Sequence, residues 1–140
     1  MKKKYLILLV SLALTFGCKK ETTKTETPAA IQLEGLTQNH NEKWIANEET
    51  HIGMKRIDSI LNNNTSLDGK LLGEALSKET SYIIKSCNMT GEAHDQLHVV
   101  LVPILEEITD IKDTNNTSEV DKKVSYLKRL VTTYFEYFKT

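Results

Sequence analysis

Between Val120 and Phe138 the apolar residues Val120, Val124, Leu127, Val131, Tyr134 and Phe138 recur at spacings of 4, 3, 4, 3 and 4. Alternating steps of three and four hold side chains on one narrow face of an α-helix. In a strand the same steps would scatter them over both faces. Such an a/d seam demands a facing surface, because most helical stability in proteins comes from packing an amphipathic face. Thr117 or Ser118 stands where an N-cap would open this helix. The chain is therefore committed, at its most regular end, to packing helix on helix.

Three earlier segments follow the same logic. From about Leu36 onward the pattern is helical, interrupted by the turn-rich runs Asn62–Ser66, Asn88–Gly91 and Asp113–Thr117. The first segment groups Trp44, His51, Met54, Ile57 and Leu61, and the second groups Leu72, Ala75, Leu76, Ile83 and Cys87. The third sets His94, Leu97, His98, Leu101, Leu105 and Ile108 on one stripe and carries Pro103, which removes a backbone bond and bends the chain. No stretch alternates with period two as a half-buried strand would. Four helices of about 30 Å with short connections predict an all-α fold, an antiparallel up-down-up-down four-helix bundle over residues 36–140. Trp44 and the Tyr134–Phe138 cluster are the expected core anchors.

The other end of the chain reads as an export signal. Lys2, Lys3 and Lys4 precede an apolar run from Tyr5 to Phe16, and Gly17 precedes Cys18. The run is too short to span a bilayer, which takes about 20 apolar residues. A cysteine after a small residue at this place resembles the bacterial lipobox, with Thr15 and Phe16 departing from its usual Leu and small residue. The resemblance implies that residues 1–17 are a signal peptide and that Cys18 is acylated, anchoring the protein to a membrane of the cell envelope. Several acyl chains on one residue exceed what stable anchoring needs. Residues 18–35, rich in Thr, Lys and Glu, are expected to form a solvated, disordered tether.

Charge and cysteine usage narrow the function classes. The formal net charge is −1 over 140 residues. Cleavage after Gly17 would remove three lysines and no acid, so the exported part is more acidic still. No basic cluster lies in the helical part, which excludes the electrostatic footprint of a nucleic-acid binder. With Cys18 taken by lipid, Cys87 has no partner for an internal disulfide, and it is a buried thiol, a reactive thiol or a ligand. No nucleophile elbow, phosphate loop or Cys-x-x-Cys-His haem motif is present. No enzyme and no small-molecule substrate is indicated.

One constellation carries chemistry. Cys87, Met89, His94 and His98 fall within twelve positions, with the histidines at i and i+4 on one helix face. That face is expected to be the core face, with both imidazoles directed inward. Thr90 is expected to cap the third helix, leaving Cys87 and Met89 on the turn before it. Thiolate and thioether select copper(I), and imidazole suits copper and zinc alike. Copper is the expected ion and zinc the alternative, with His51 and Met54 of the first helix available as a further ligand or as support. A carboxylate-bridged di-iron centre would use Glu48-x-x-His51 and Asp95-x-x-His98, but the fourth seam offers no inward carboxylate. The competing reading is a structural or protein-interaction bundle, in which Met and Cys pack and each His has its own polar partner.

Lys43-Trp44-x-x-Asn47-x-x-Thr50, the stretch IIKSCNMTGEAHDQLH and the closing YFEYF together resemble a family of small bacterial envelope lipoproteins. The most specific part is the motif Cys-x-Met-x-Gly-x-x-His-x-x-Leu-His, matched by Cys87, Met89, Gly91, His94, Leu97 and His98. Related helical domains occur with heavy-metal efflux components. The resemblance spans most of residues 36–140 and implies a helical envelope module, copper at the motif and efflux components as partners.

Overall fold

The computed structural model describes residues 28–140. The expected signal peptide, Cys18 and the first part of the tether lie outside the described residues. Four α-helices carry the fold: α1 (Glu48–Asn63), α2 (Gly69–Ser86), α3 (Glu92–Lys112) and α4 (Thr117–Tyr137). Each packs on the next, and α4 packs back on α1. The expected all-α class therefore stands.

The seam of α4 is buried as its spacing requires: Val120, Leu127, Val131 and Tyr134 are completely enclosed, and Val124 and Phe138 nearly so. Leu130 and Thr133 widen it into a stripe facing both neighbours. Opposite it lie Met54, Ile57 and Leu61 of α1, Leu76 and Ile83 of α2, and Leu97, Val100, Ile104, Ile108 and Ile111 of α3. Every buried side-chain nitrogen and oxygen among the described residues has a hydrogen-bond partner. The opening cap of α4 is Asn116, not Thr117 or Ser118. Its carboxamide oxygen accepts from the amides of Ser118 at 3.0 Å and Glu119 at 3.2 Å, which removes two of the orphan donors of the first turn.

The first helix is shorter than its apolar pattern implied. Residues 36–47 are not helical. Asn39 and Glu42 exchange backbone hydrogen bonds across His40 and Asn41, both at positive φ. His40 and Asn41 belong to the few residue types that tolerate this left-handed backbone. The turn sends the chain back so that β1 (Trp44–Ile45) pairs in parallel with β2 (Phe138–Lys139). Trp44 is still a core residue, as expected, but it reaches the core from this ladder. Its indole donates to the Thr37 carbonyl at 2.6 Å.

Part of the expected tether is docked. Ile31 donates its amide to Thr133 Oγ1 at 2.9 Å, and Arg129 Nε donates to the Ala29 carbonyl at 3.2 Å. Ile31, Leu33 and Leu36 pack against the core. These partly buried apolar residues add contact with the core to the two hydrogen bonds on α4.

Candidate functional site

Hydrogen bonds tie the start of α1 to the end of α2, and the segment before α1 to the end of α4. Asn47 fastens the first two: its carboxamide nitrogen donates to the Ser86 carbonyl at 3.1 Å and to Glu49 Oε2 at 2.8 Å. The buried Thr50 hydroxyl donates to Asn47 Oδ1. Lys43 Nζ reaches the Phe135 carbonyl at 2.6 Å and adds α4. The Lys43, Trp44, Asn47 and Thr50 pattern seen in the sequence is thus a set of locks between elements.

The bend from α2 to α3 carries the sulfur residues. Cys87 closes α2, its amide donating to the Ile83 carbonyl at 2.9 Å while its backbone turns extended. Cys87 and Met89 are both half-buried against the core. The cap of α3 is Gly91 rather than Thr90. Gly91 has φ 67° and ψ −155°, a combination open in practice only to glycine. Its carbonyl accepts from the amides of His94 at 3.0 Å and Asp95 at 3.1 Å.

His94 and His98 do meet, with ring centroids 4.3 Å apart and planes inclined at 59°. They do not point into the core. His94 is half-buried and His98 is exposed. The buried stripe of α3 is Leu97, Val100, Leu101, Ile104, Ile108 and Ile111, and each residue along a helix turns the side chain by roughly 100°. His98 follows Leu97 and falls beyond the stripe on the side away from Val100 and Ile104. Leu105 shares that edge and is only half-buried.

On α1, His51 and Met54 have separate fates. Met54 is completely enclosed in the core, where its thioether packs among aliphatic side chains. His51 Nδ1 lies 3.2 Å from the Tyr134 hydroxyl, and its ring stands edge-on to Phe135 at 5.5 Å. Burial, with the nearby charges of Lys55 and Lys43, holds the His51 pKa below its ordinary value. Tyr134 stacks on Phe138 at 5.0 Å. Its phenol is pushed well above the ordinary range, first by burial and then by neighbouring Cys87. Tyr134 thus gives His51 its polar partner, a role not read from the sequence. The signal was available: a tyrosine in an apolar seam brings a hydroxyl that must find a partner.

Comparison with protein-family models, with curated proteins and with solved structures finds no match.

Of the six residues singled out as soft donors, the structure pairs His94 with His98 and puts Cys87 and Met89 on the bend leading into their helix. Among the described residues no three of His, Cys, Asp and Glu gather as a preformed metal group. No helix among them is long and apolar enough to cross a membrane.

Proposed function

We propose that the chain is a lipid-anchored envelope protein whose helical domain binds a soft metal ion, acting as a buffer or chaperone rather than as an enzyme. Copper is the favoured ion and zinc the alternative. In this reading the helices run up-down-up-down, an order supported by the short bends and the contact of each helix with the next. The anchor is Cys18, and the partner that receives the ion is a metal-efflux component.

The observation that carries the reading is the His94–His98 pair, with rings 4.3 Å apart at the edge of α3. Two imidazoles one turn apart make a two-nitrogen edge with little reorganisation. Cys87 and Met89 would supply soft sulfur from the bend before α3, and a cuprous ion favours that mixture. The site would be completed on binding by motion of half-buried side chains, which suits an ion that must be released again.

Titration of residues 19–140 with copper(I) and zinc under reducing conditions tests the proposal. Stoichiometric binding tighter than about micromolar is expected, lost in Cys87→Ser and in the double variant His94→Ala, His98→Ala. Binding no tighter than that, or binding indifferent to these changes, overturns it.

One observation favours the other reading, a structural or interaction bundle. His51, the third imidazole of the set, already has a partner in Tyr134, as a packing histidine should. On that reading the same titration stays flat and the double histidine variant alters stability alone.

A further inference from the structure

Residues 29–33, in no helix or strand, lie as a strap along α4. Arg129 Nε donates to the Ala29 carbonyl at 3.2 Å, and Thr133 Oγ1 accepts from the Ile31 amide at 2.9 Å. Arg129 and Thr133 stand one turn apart, about 6 Å along the helix. Two residues of extended chain advance about 7 Å, so one helical turn spans one repeat of an extended peptide. Beyond a turn in which Leu36 donates to the Leu33 carbonyl at 3.2 Å, Gln96 of α3 holds the chain in the same manner. Its carboxamide accepts from the Thr37 amide at 2.7 Å and donates to the Gly35 carbonyl at 3.1 Å.

All of these bonds are made to backbone atoms of the strap, which any peptide carries. What the strap adds of its own is apolar: Ile31, Leu33 and Leu36 pack, partly buried, against the core. The bundle can also spare it. Without the strap the Thr133 hydroxyl keeps the Arg129 carbonyl at 2.9 Å, while exposed Arg129 and half-buried Gln96 turn to water. Gly35, at φ 82° with open space around it, supplies a hinge.

We propose that this face of α4 and α3 is a docking site for an extended segment of another protein, and that residues 29–37 occupy it in cis. The fitting segment carries aliphatic residues two positions apart, at the places of Ile31 and Leu33. Main-chain hydrogen bonds then supply affinity and the two side chains supply selection, as in other extended-peptide sites. The strap competes at an effective concentration of about millimolar order. A partner prevails where its side chains bury more surface than Ile31 and Leu33, which are only half-buried. The strap of a second copy makes no contact beyond those it would displace, so self-association is not expected.

The probe is a fluorescein-labelled peptide of residues 28–37, PAAIQLEGLT, added to the full chain in detergent and followed by anisotropy. Ile31→Pro removes the amide that Thr133 accepts and frees the site. That variant should bind the peptide saturably, at least about tenfold more tightly than the unaltered chain, whose strap competes. Adding Thr133→Val, or methylating the Ile31 amide of the peptide, should weaken binding by about tenfold, the loss of one hydrogen bond. Equal binding of the methylated peptide overturns the proposal. So does the absence of saturable binding to an Ile31→Pro protein that keeps the helical circular dichroism of the unaltered chain. A second measurement needs no variant. Peptide at about millimolar concentration should quicken hydrogen exchange at Ile31 of the unaltered chain and leave Leu127 unchanged; constant exchange at Ile31 overturns the displacement. Dimers that form in the unaltered chain and vanish in Ile31→Pro would make a second copy the occupant, against the proposal.

Discussion

His51 Nδ1 faces the Tyr134 hydroxyl at 3.2 Å, bringing a titratable ring of α1 against a buried phenol of α4. Burial and the lysines at positions 55 and 43 disfavour the imidazolium. The unfolded chain therefore takes up a proton before the folded one, near the ordinary value of 6.5. Stability is complete above that pH and falls as pH drops from 6.5 toward the lower folded value. Thermal melts between pH 8 and 5 should show this decline, and His51→Gln should flatten it. An equally steep decline in that variant would assign the effect to another group.

Thr133 holds the strap. Its hydroxyl accepts from the Ile31 amide, and its single proton lies between the carbonyls of Ile31 at 3.1 Å and Arg129 at 2.9 Å. Thr133→Val keeps the shape and leaves a partly buried amide unpaired, a loss of about 1–3 kcal/mol. Hydrogen exchange at Ile31 should quicken far more than at Leu127 in the same helix bundle. Uniform acceleration would mean that the whole fold, not the strap, had been loosened.

Helix caps and close approaches give two further tests. Asn116→Ala should cost about 1 kcal/mol in urea unfolding, while Thr117→Ala and Ser118→Ala should change little, since neither side chain caps α4.

At Gly69 an added methyl would meet the carbonyl oxygens of Ile111 and Thr114, which are fixed backbone. At buried Gly73 it would meet Cγ of Lys112, close to that residue's backbone, with Cγ2 of Ile111 beside it. Gly69→Ala and Gly73→Ala should therefore each destabilise by about 1–3 kcal/mol, more than the gain in helix propensity returns. An unchanged denaturant midpoint in either variant would contradict this account.

The contrast between α4 and α3 explains what the sequence could disclose. In α4 the buried stripe is bordered by Lys, Asp and Ser, so spacing alone located it. In α3, Leu97, Val99, Val100, Leu101, Val102, Ile104 and Leu105 are nearly continuous. Several stripes fit such a run, and packing against α2 and α4 selected the one that leaves His98 outside. The non-helical stretch before α1 is masked in the sequence for a different reason. Its Trp44 and Leu36 continue the apolar rhythm of the helix, although the Asn39-His40-Asn41 turn breaks the chain between them. The bend carrying Cys87 and Met89 was legible because Asn88 and Gly91 mark it. The contact of Tyr134 with His51 was not, since it joins residues 83 positions apart.

The exposed position of His98 changes what metal binding should look like. A buried site would exclude the ion until the bundle opened, whereas an imidazole at the surface lets the ion make its first contact in water. Binding to the folded state alone raises stability through linkage, by about 2.7 kcal/mol at a hundredfold excess over Kd. Copper(I) at that excess should therefore raise the melting temperature of residues 19–140 by several degrees. His98→Ala should remove most of the shift while leaving the metal-free melt unchanged, because the ring lies outside the core stripe. His94→Ala should remove it too and also lower the metal-free melt slightly, because that ring is half-buried. A shift that survives both substitutions would place the ion elsewhere on the bundle, and no shift at all would leave the packing role of the cysteine, methionine and histidines as their explanation.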